Sequence, residues 1–299
     1  MKVLIIKYKE SIKVLSLMLI LSSLLLFSCR KTIKVKLPEY KQKLVIEGSI
    51  TTGEGAIVFL SYSVPVFGGF DFTHPENAFV KGAFVTVSDG TVIDTLKEFN
   101  PSEGYFYYGS KVMGQTGKTY YLTISLNGKT YNAETKILPP IALDSLYFKG
   151  ERDSLGFIWA HLTEPSGLGQ NYRWFAKRLN KKTDYAFAAP FNSVFDDKFV
   201  DGKDFHFAYD RGPQPNDVQA DKDDPEQGWF KRGDTVAVKF CVIDRPSYNF
   251  WYSYYLNKAS NGNPFSAPSN IVSTLEGDDV LGGFYGYSPS YDTLAIPKN

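Results

Sequence analysis

The chain has 299 residues, with 33 Lys and Arg against 32 Asp and Glu, so it lacks the basic excess that marks a nucleic-acid partner. Tyr (20), Phe (23), Gly (25) and Pro (16) are abundant, a mixture that favours strands and tight turns over helices. Two cysteines exclude a disulfide-stapled scaffold, and stability has to come from a hydrophobic core.

Lys2, Lys7, Lys9 and Lys13 precede Val14 to Phe27, a run that is apolar apart from small serines. At about 14 residues it falls short of the roughly 20 that span a bilayer, and the layout is that of a secretory signal peptide over residues 1–28. Leu26-Phe27-Ser28-Cys29 resembles a bacterial lipobox. Cleavage between Ser28 and Cys29, with acylation of the Cys29 thiol, predicts a mature chain held by lipid. Several buried acyl chains, at about 0.8 kcal/mol per methylene, make such an anchor effectively permanent. Losing residues 1–28 removes four lysines and Glu10 and leaves a slightly negative chain whose remaining thiol, Cys241, has no intramolecular partner.

After a basic tether over residues 29–43, strands follow closely. "KLVIEGSI" (Lys43 to Ile50) and "AIVFLSYSV" (Ala56 to Val64) precede a Gly- and Phe-rich loop holding Phe67 and Phe70. "GAFVTVSDG" turns at Asp89-Gly90 into "TVIDTLKEF". The clearest hairpin alternates Tyr120, Leu122, Ile124 and Leu126 before Asn127-Gly128, and Tyr131, Ala133, Thr135 and Ile137 after it. About seven short strands in under 100 residues predict a β-sandwich of immunoglobulin- or transthyretin-like type over residues 44–138.

Pro139-Pro140 punctuates the pattern, and a second, β-rich domain is expected over residues 141–299. "SLGFIWAHLTE" places Phe157, Trp159 and His161 on one strand face. Asp210 to Gly228 reads as a long polar loop, and "DTVAVKFCVID" as a strand. One amphipathic helix is expected in "PSYNFWYSYYLNKASNG", with Tyr248, Trp251, Tyr252, Tyr255 and Leu256 at helical spacing, Ser247 as N-cap and Gly262 past the end. A last β segment, "GGFYGYSPSYDTLAIP", closes the chain.

Taken together, the segments from Cys29 through "KLVIEGSITTGEGAIVFLSYSVPVF", "GKTYYLTISLNGKTYNAETKILPPIALDSLYF" and "GDTVAVKFCVIDRPSYNFWYSYY" to "NPFSAPSNI" and "GGFYGY" resemble domain-of-unknown-function family 4249, lipoproteins of Bacteroidota. The resemblance implies association with TonB-dependent outer-membrane receptors, and assigns no catalytic residues. Surface-exported lipoproteins of these bacteria tend to carry acidic residues just after the cysteine. Here Arg30 and Lys31 follow it, so a periplasmic and a surface-facing position both stay open.

The residues themselves offer no enzyme signature. None of His74, His161 and His206 belongs to an H-E-x-x-H zinc motif, no G-x-S-x-G elbow occurs, and Cys241 sits inside an apolar strand. No cofactor is expected. Asp196, Asp197, Asp201 and Asp204, and further on Asp221, Asp223, Asp224 and Glu226, provide hard oxygen atoms of the type calcium takes. They lack the EF-hand order and read as solvated acidic turns. Most aromatics read as core; Phe67, Phe70 and Trp229 are the ones that core packing explains least, and they stand as candidate ligand or interface residues. The expectation is a non-enzymatic, lipid-anchored outer-membrane lipoprotein, accessory to a TonB-dependent receptor. The competing one is an independent glycan- or peptide-binding lipoprotein.

Overall fold

Why the last β segment matters becomes clear in the computed structural model, which describes Ser16 and residues 40–64, 74–100, 105–214, 226–260 and 270–298. The strands of the first half are β1 (Leu44–Thr51), β2 (Gly55–Tyr62), β3 (Phe84–Ser88), β4 (Ile93–Thr95), β5 (Lys97–Phe99), β6 (Phe106–Met113), β7 (Thr119–Leu126) and β8 (Lys129–Lys136). Those of the second are β9 (Ser145–Arg152), β10 (Leu155–Thr163), β11 (Asn171–Arg178), β12 (Val194–Asp196), β13 (Asp204–Tyr209), β14 (Phe230–Lys231) and β15 (Thr235–Val242). The helix α1 (Arg245–Ser260) follows, then β16 (Leu275–Glu276) and β17 (Val280–Ala295). The fold is all-β, with one long helix among the described residues.

β17 runs parallel to β1 through its first half, Leu44 opposite Val280 to Thr51 opposite Tyr287, and antiparallel to β15 through its second. It thereby joins both halves of the chain in one eight-stranded sheet of order β12-β11-β15-β17-β1-β2-β6-β5. Two smaller sheets pack on the same face of it. The five-stranded sheet β16-β8-β7-β3-β4 closes a core of Ile46, Ile50, Val58 and Leu60 against Val85, Val87, Leu122 and Ile124. The sheet of β9, β10, β13 and β14 closes a second core, in which Ile158, Ala160 and Leu162 face Trp174, Val238 and Phe240.

The predicted boundary at 138–141 therefore separates two cores and not two compact units. Residues Gln42–Asn299 form one unit: β17 supplies Phe284 to the first core, and its end, Leu294, with Ile296 just past it, packs into the second.

Local signals explain the best-read elements. The β7–β8 hairpin turns on Asn127 (φ 50°) and Gly128 (φ 76°), the positive-φ pair that a two-residue type I′ turn requires. Asp89 organises the β3–β4 turn: its Oδ1 accepts from the N–H groups of Thr91 and Val92, which with Lys118 hold its carboxyl at about 2.

Two predictions need correction. "TVIDTLKEF" is not one strand: β4 pairs with β3 in the five-stranded sheet and β5 with β6 in the eight-stranded one, the chain crossing between sheets at buried Leu96. The helix buries Phe250, Trp251 and Tyr255, whereas Tyr252 and Leu256 stay 43% and 46% exposed. Its N-cap is Asp244 and not Ser247. Asp244 Oδ1 accepts from Ser247 N–H (2.9 Å), while Oδ2 accepts from Thr135 Oγ1 and Lys136 N–H, tying the helix start to β8.

Candidate functional site

The outward face of the small second sheet departs from what a solvated sheet face usually shows. Along β10 the inward residues Ile158, Ala160 and Leu162 are fully buried, so alternation sends Phe157, Trp159 and His161 to the other side. Register then fills the neighbouring positions. Tyr147 of β9 lies opposite Trp159, and on β13 His206 lies opposite His161 and Ala208 opposite Trp159. An antiparallel face toward water is normally polar, and this one carries rings in nearly every row.

The rings touch. His161 and His206 stack with centroids 4.5 Å apart and an interplanar angle of 17°. Tyr147 lies 6.2 Å from Trp159 at 21° and meets His206 edge-on at 5.7 Å. Trp229, from the segment leading into β14, stacks on Phe157 at 4.5 Å. Tyr147 is 38% exposed. The only polar side-chain atom of Trp159, its Nε1, is buried without a partner, so whatever Trp159 shows to water is carbon.

Carboxylates rim these rings. His161 Nε2 is hydrogen-bonded to Asp204, and its Nδ1 lies 3.9 Å from Asp144 Oδ2. Asp144 is fixed in turn by accepting from the N–H of Thr163, and His206 Nδ1 lies 3.4 Å from the Tyr147 hydroxyl. The Lys149 ammonium sits 5.0 Å from the Trp159 ring centroid and 3.4 Å from Glu151. The arrangement presents flat hydrocarbon beside paired hydrogen-bond donors and acceptors. That is chemistry for holding a ligand.

A model of the family described as "Domain of unknown function (DUF4249)" matches residues 30–292. The chain belongs to the DUF4249 family. No curated protein matches it. The family match takes in the whole aromatic face and β17 as far as Asp292.

Within this DUF4249 chain the sequence-predicted residues fall in several places. Trp229 joins the aromatic face. Phe67, Phe70, Ser28, Cys29, Asp221, Asp223 and Asp224 lie outside the described residues. Glu226 pairs with Lys231 at 2.5 Å. The earlier acidic cluster is spent on loop backbone and single partners: Asp197 accepts from Gly169 and Gln170 N–H, Asp201 from Gly167 N–H, Asp196 pairs with Arg245, and Asp204 takes His161. Among the described residues no group of three or more His, Cys, Asp or Glu is placed to hold a metal ion. Cys241 is fully buried, and loss of water pushes its thiol up to about 12, too high to supply a thiolate.

Tyr147 and His206 are the members of the face that sequence reasoning missed. Their signal was parity. Each alternates with core residues, Tyr147 with Leu146 and Phe148 and His206 with Phe205 and Phe207, and each lies in register with a member of the Phe157, Trp159 and His161 face.

A second centre lies on the opposite face of the eight-stranded sheet, under α1. Buried Arg173 places its guanidinium carbon 3.3 Å from the Trp251 ring centroid and donates from Nη1 to the Tyr287 hydroxyl at 2.5 Å. It forms no ion pair among the described residues. Farther along the same face, beyond the helix, Phe59, Phe106 and Phe99 run across β2, β6 and β5 with centroids 5.8 and 5.5 Å apart. Phe59 and Phe99 are 43% and 58% exposed.

Proposed function

We propose that this DUF4249 protein is a lipid-anchored outer-membrane lipoprotein with a binding and not a catalytic role, an accessory or adapter subunit beside a TonB-dependent receptor in uptake or envelope function. The observation that carries the anchoring is Cys29, at the end of an apolar run and directly after the small residue Ser28. Lipid at Cys29 confines the protein to two dimensions, and the tether over residues 29–43 lets the β body reach a neighbour, raising the effective concentration of partner contacts. The receptor association rests on the family resemblance, and the Phe59–Phe106–Phe99 row, exposed at Phe59 and Phe99 and half-buried at Phe106, is the surface this reading assigns to that partner.

Replacing Cys29 with alanine tests the anchor. The expected outcome is release from the membrane fraction into the soluble envelope fraction, with the melting temperature of the β body unchanged. Continued sedimentation with membranes contradicts it. The second reading, an independent glycan- or peptide-binding lipoprotein, is favoured by the aromatic face around Trp159.

A further inference from the structure

We propose that the outward face of β9, β10 and β13 is a saccharide-binding platform, with Trp159 and Tyr147 as its stacking floor and His161 with Asp204 as its polar rim. The inference rests on the binding reading above and is independent of the receptor. Size selects the occupant. Phe157, Trp159 and His161 cover ~13 Å along the strand and three strands cover about 10 Å across it, an area on the order of 100–200 Å². A stable protein interface takes about 800 Å² from each partner, so this face suits a short chain of rings.

Chemistry narrows it further. A pyranose ring presents a flat patch of C–H groups on its face and hydroxyls around its edge. The all-carbon exposed surface of Trp159, nearly parallel to Tyr147 at 21°, matches the first. The rim matches the second: the Asp204 side chain is 68% exposed while pairing with His161, and Asp144 is 43% exposed, so both keep free lone pairs for hydroxyl donors. Ala208, opposite Trp159, leaves one side of the indole without a competing side chain in its row. On the other side Lys149 lies over the ring on a flexible stem that a ligand can displace or recruit.

The test uses the full mature protein in a detergent without a sugar headgroup, immobilised and probed with cello-, malto-, xylo-, manno- and chito-oligosaccharides. The expected result is retention of at least one series, weakened about tenfold or more by Trp159→Ala and left unchanged by Tyr121→Ala, a substitution of an exposed ring on the five-stranded sheet. Should Trp159→Ala fail to fold, Tyr147→Ser, at a surface position, carries the same expectation. Silence of every series at millimolar concentration overturns the proposal, as does retention that survives both Trp159→Ala and Tyr147→Ser. Retention of a protein or peptide in place of the saccharides, with the same dependence on Trp159, also overturns it. None of these outcomes depends on whether a receptor co-purifies.

Discussion

Gly282→Ala is expected to cost about 3–5 kcal/mol, a large fraction of the stability of an ordinary domain. Gly282 sits in β17 at φ +113°, a region that L side chains rarely adopt, and a Cβ there would fall well inside contact with the Ile46 carbonyl oxygen of β1. Ile46 and Gly282 are register partners in the parallel pairing that joins the two halves of the chain. The substitution therefore strains the backbone at the seam. Urea denaturation reads the loss directly, and a midpoint within error of wild type would show that β17 does not pair with β1 in this register.

Asp184→Ala is expected to cost a comparable 3–5 kcal/mol for a different reason: it strands a buried charge. Arg178 donates from Nε (2.9 Å), Nη2 (2.7 Å) and its backbone N–H (3.1 Å) to the Asp184 carboxylate, and Arg211 approaches it at 3.8 Å. Burial acts to raise the Asp184 pKa, but the Arg178 hydrogen bonds and the charges of Arg178 and Arg211 outweigh it and hold it below 3.8. A carboxyl depressed in the folded state contributes stability above its unfolded pKa and loses it as the pH falls through the folded value. The advantage of wild type over Asp184→Asn is thus complete above about pH 5 and shrinks below about pH 4. Denaturation across that range checks it. An advantage that stays flat down to pH 3 would mean that Asp184 and Arg178 are not paired.

The legible parts of this fold were those whose cause is local. Asn127-Gly128 demands one turn type, and the alternation on either side of it fixes which residues enter the core. The helix was legible in extent, but its face was not. Tyr248, Phe250, Trp251, Tyr252, Tyr254 and Tyr255 place rings all round it, so spacing could not choose among them. What chooses is the sheet face below, where Tyr285, Tyr287, Cys241 and Ile243 receive Phe250, Trp251 and Tyr255.

β17 was read as a strand, yet its partners are β1, more than 200 residues earlier, and β15, and no local pattern encodes a parallel pairing over that distance. The aromatic face shows the same limit. Phe157, Trp159 and His161 were placed together correctly, but an apolar ring on a strand argues for burial when read alone. Only the full burial of Ile158, Ala160 and Leu162 shows that the rings are the ones left outside. The acidic cluster over residues 196–204 shows the limit from the other side: carboxylates that could be a ligand set in one dimension are engaged separately in three, Asp197 and Asp201 by backbone N–H groups of the loop over residues 167–170, Asp196 by Arg245 and Asp204 by His161.

The most direct test of the account is capture of the protein, through a C-terminal tag, from native membranes dissolved in mild detergent, with mass spectrometry of whatever accompanies it. The account predicts an acylated N-terminal cysteine at residue 29 and one TonB-dependent receptor in stoichiometric amount, lost when the exposed Phe99 is replaced by arginine. An unmodified N-terminus, or recovery of the protein without a receptor, would contradict it.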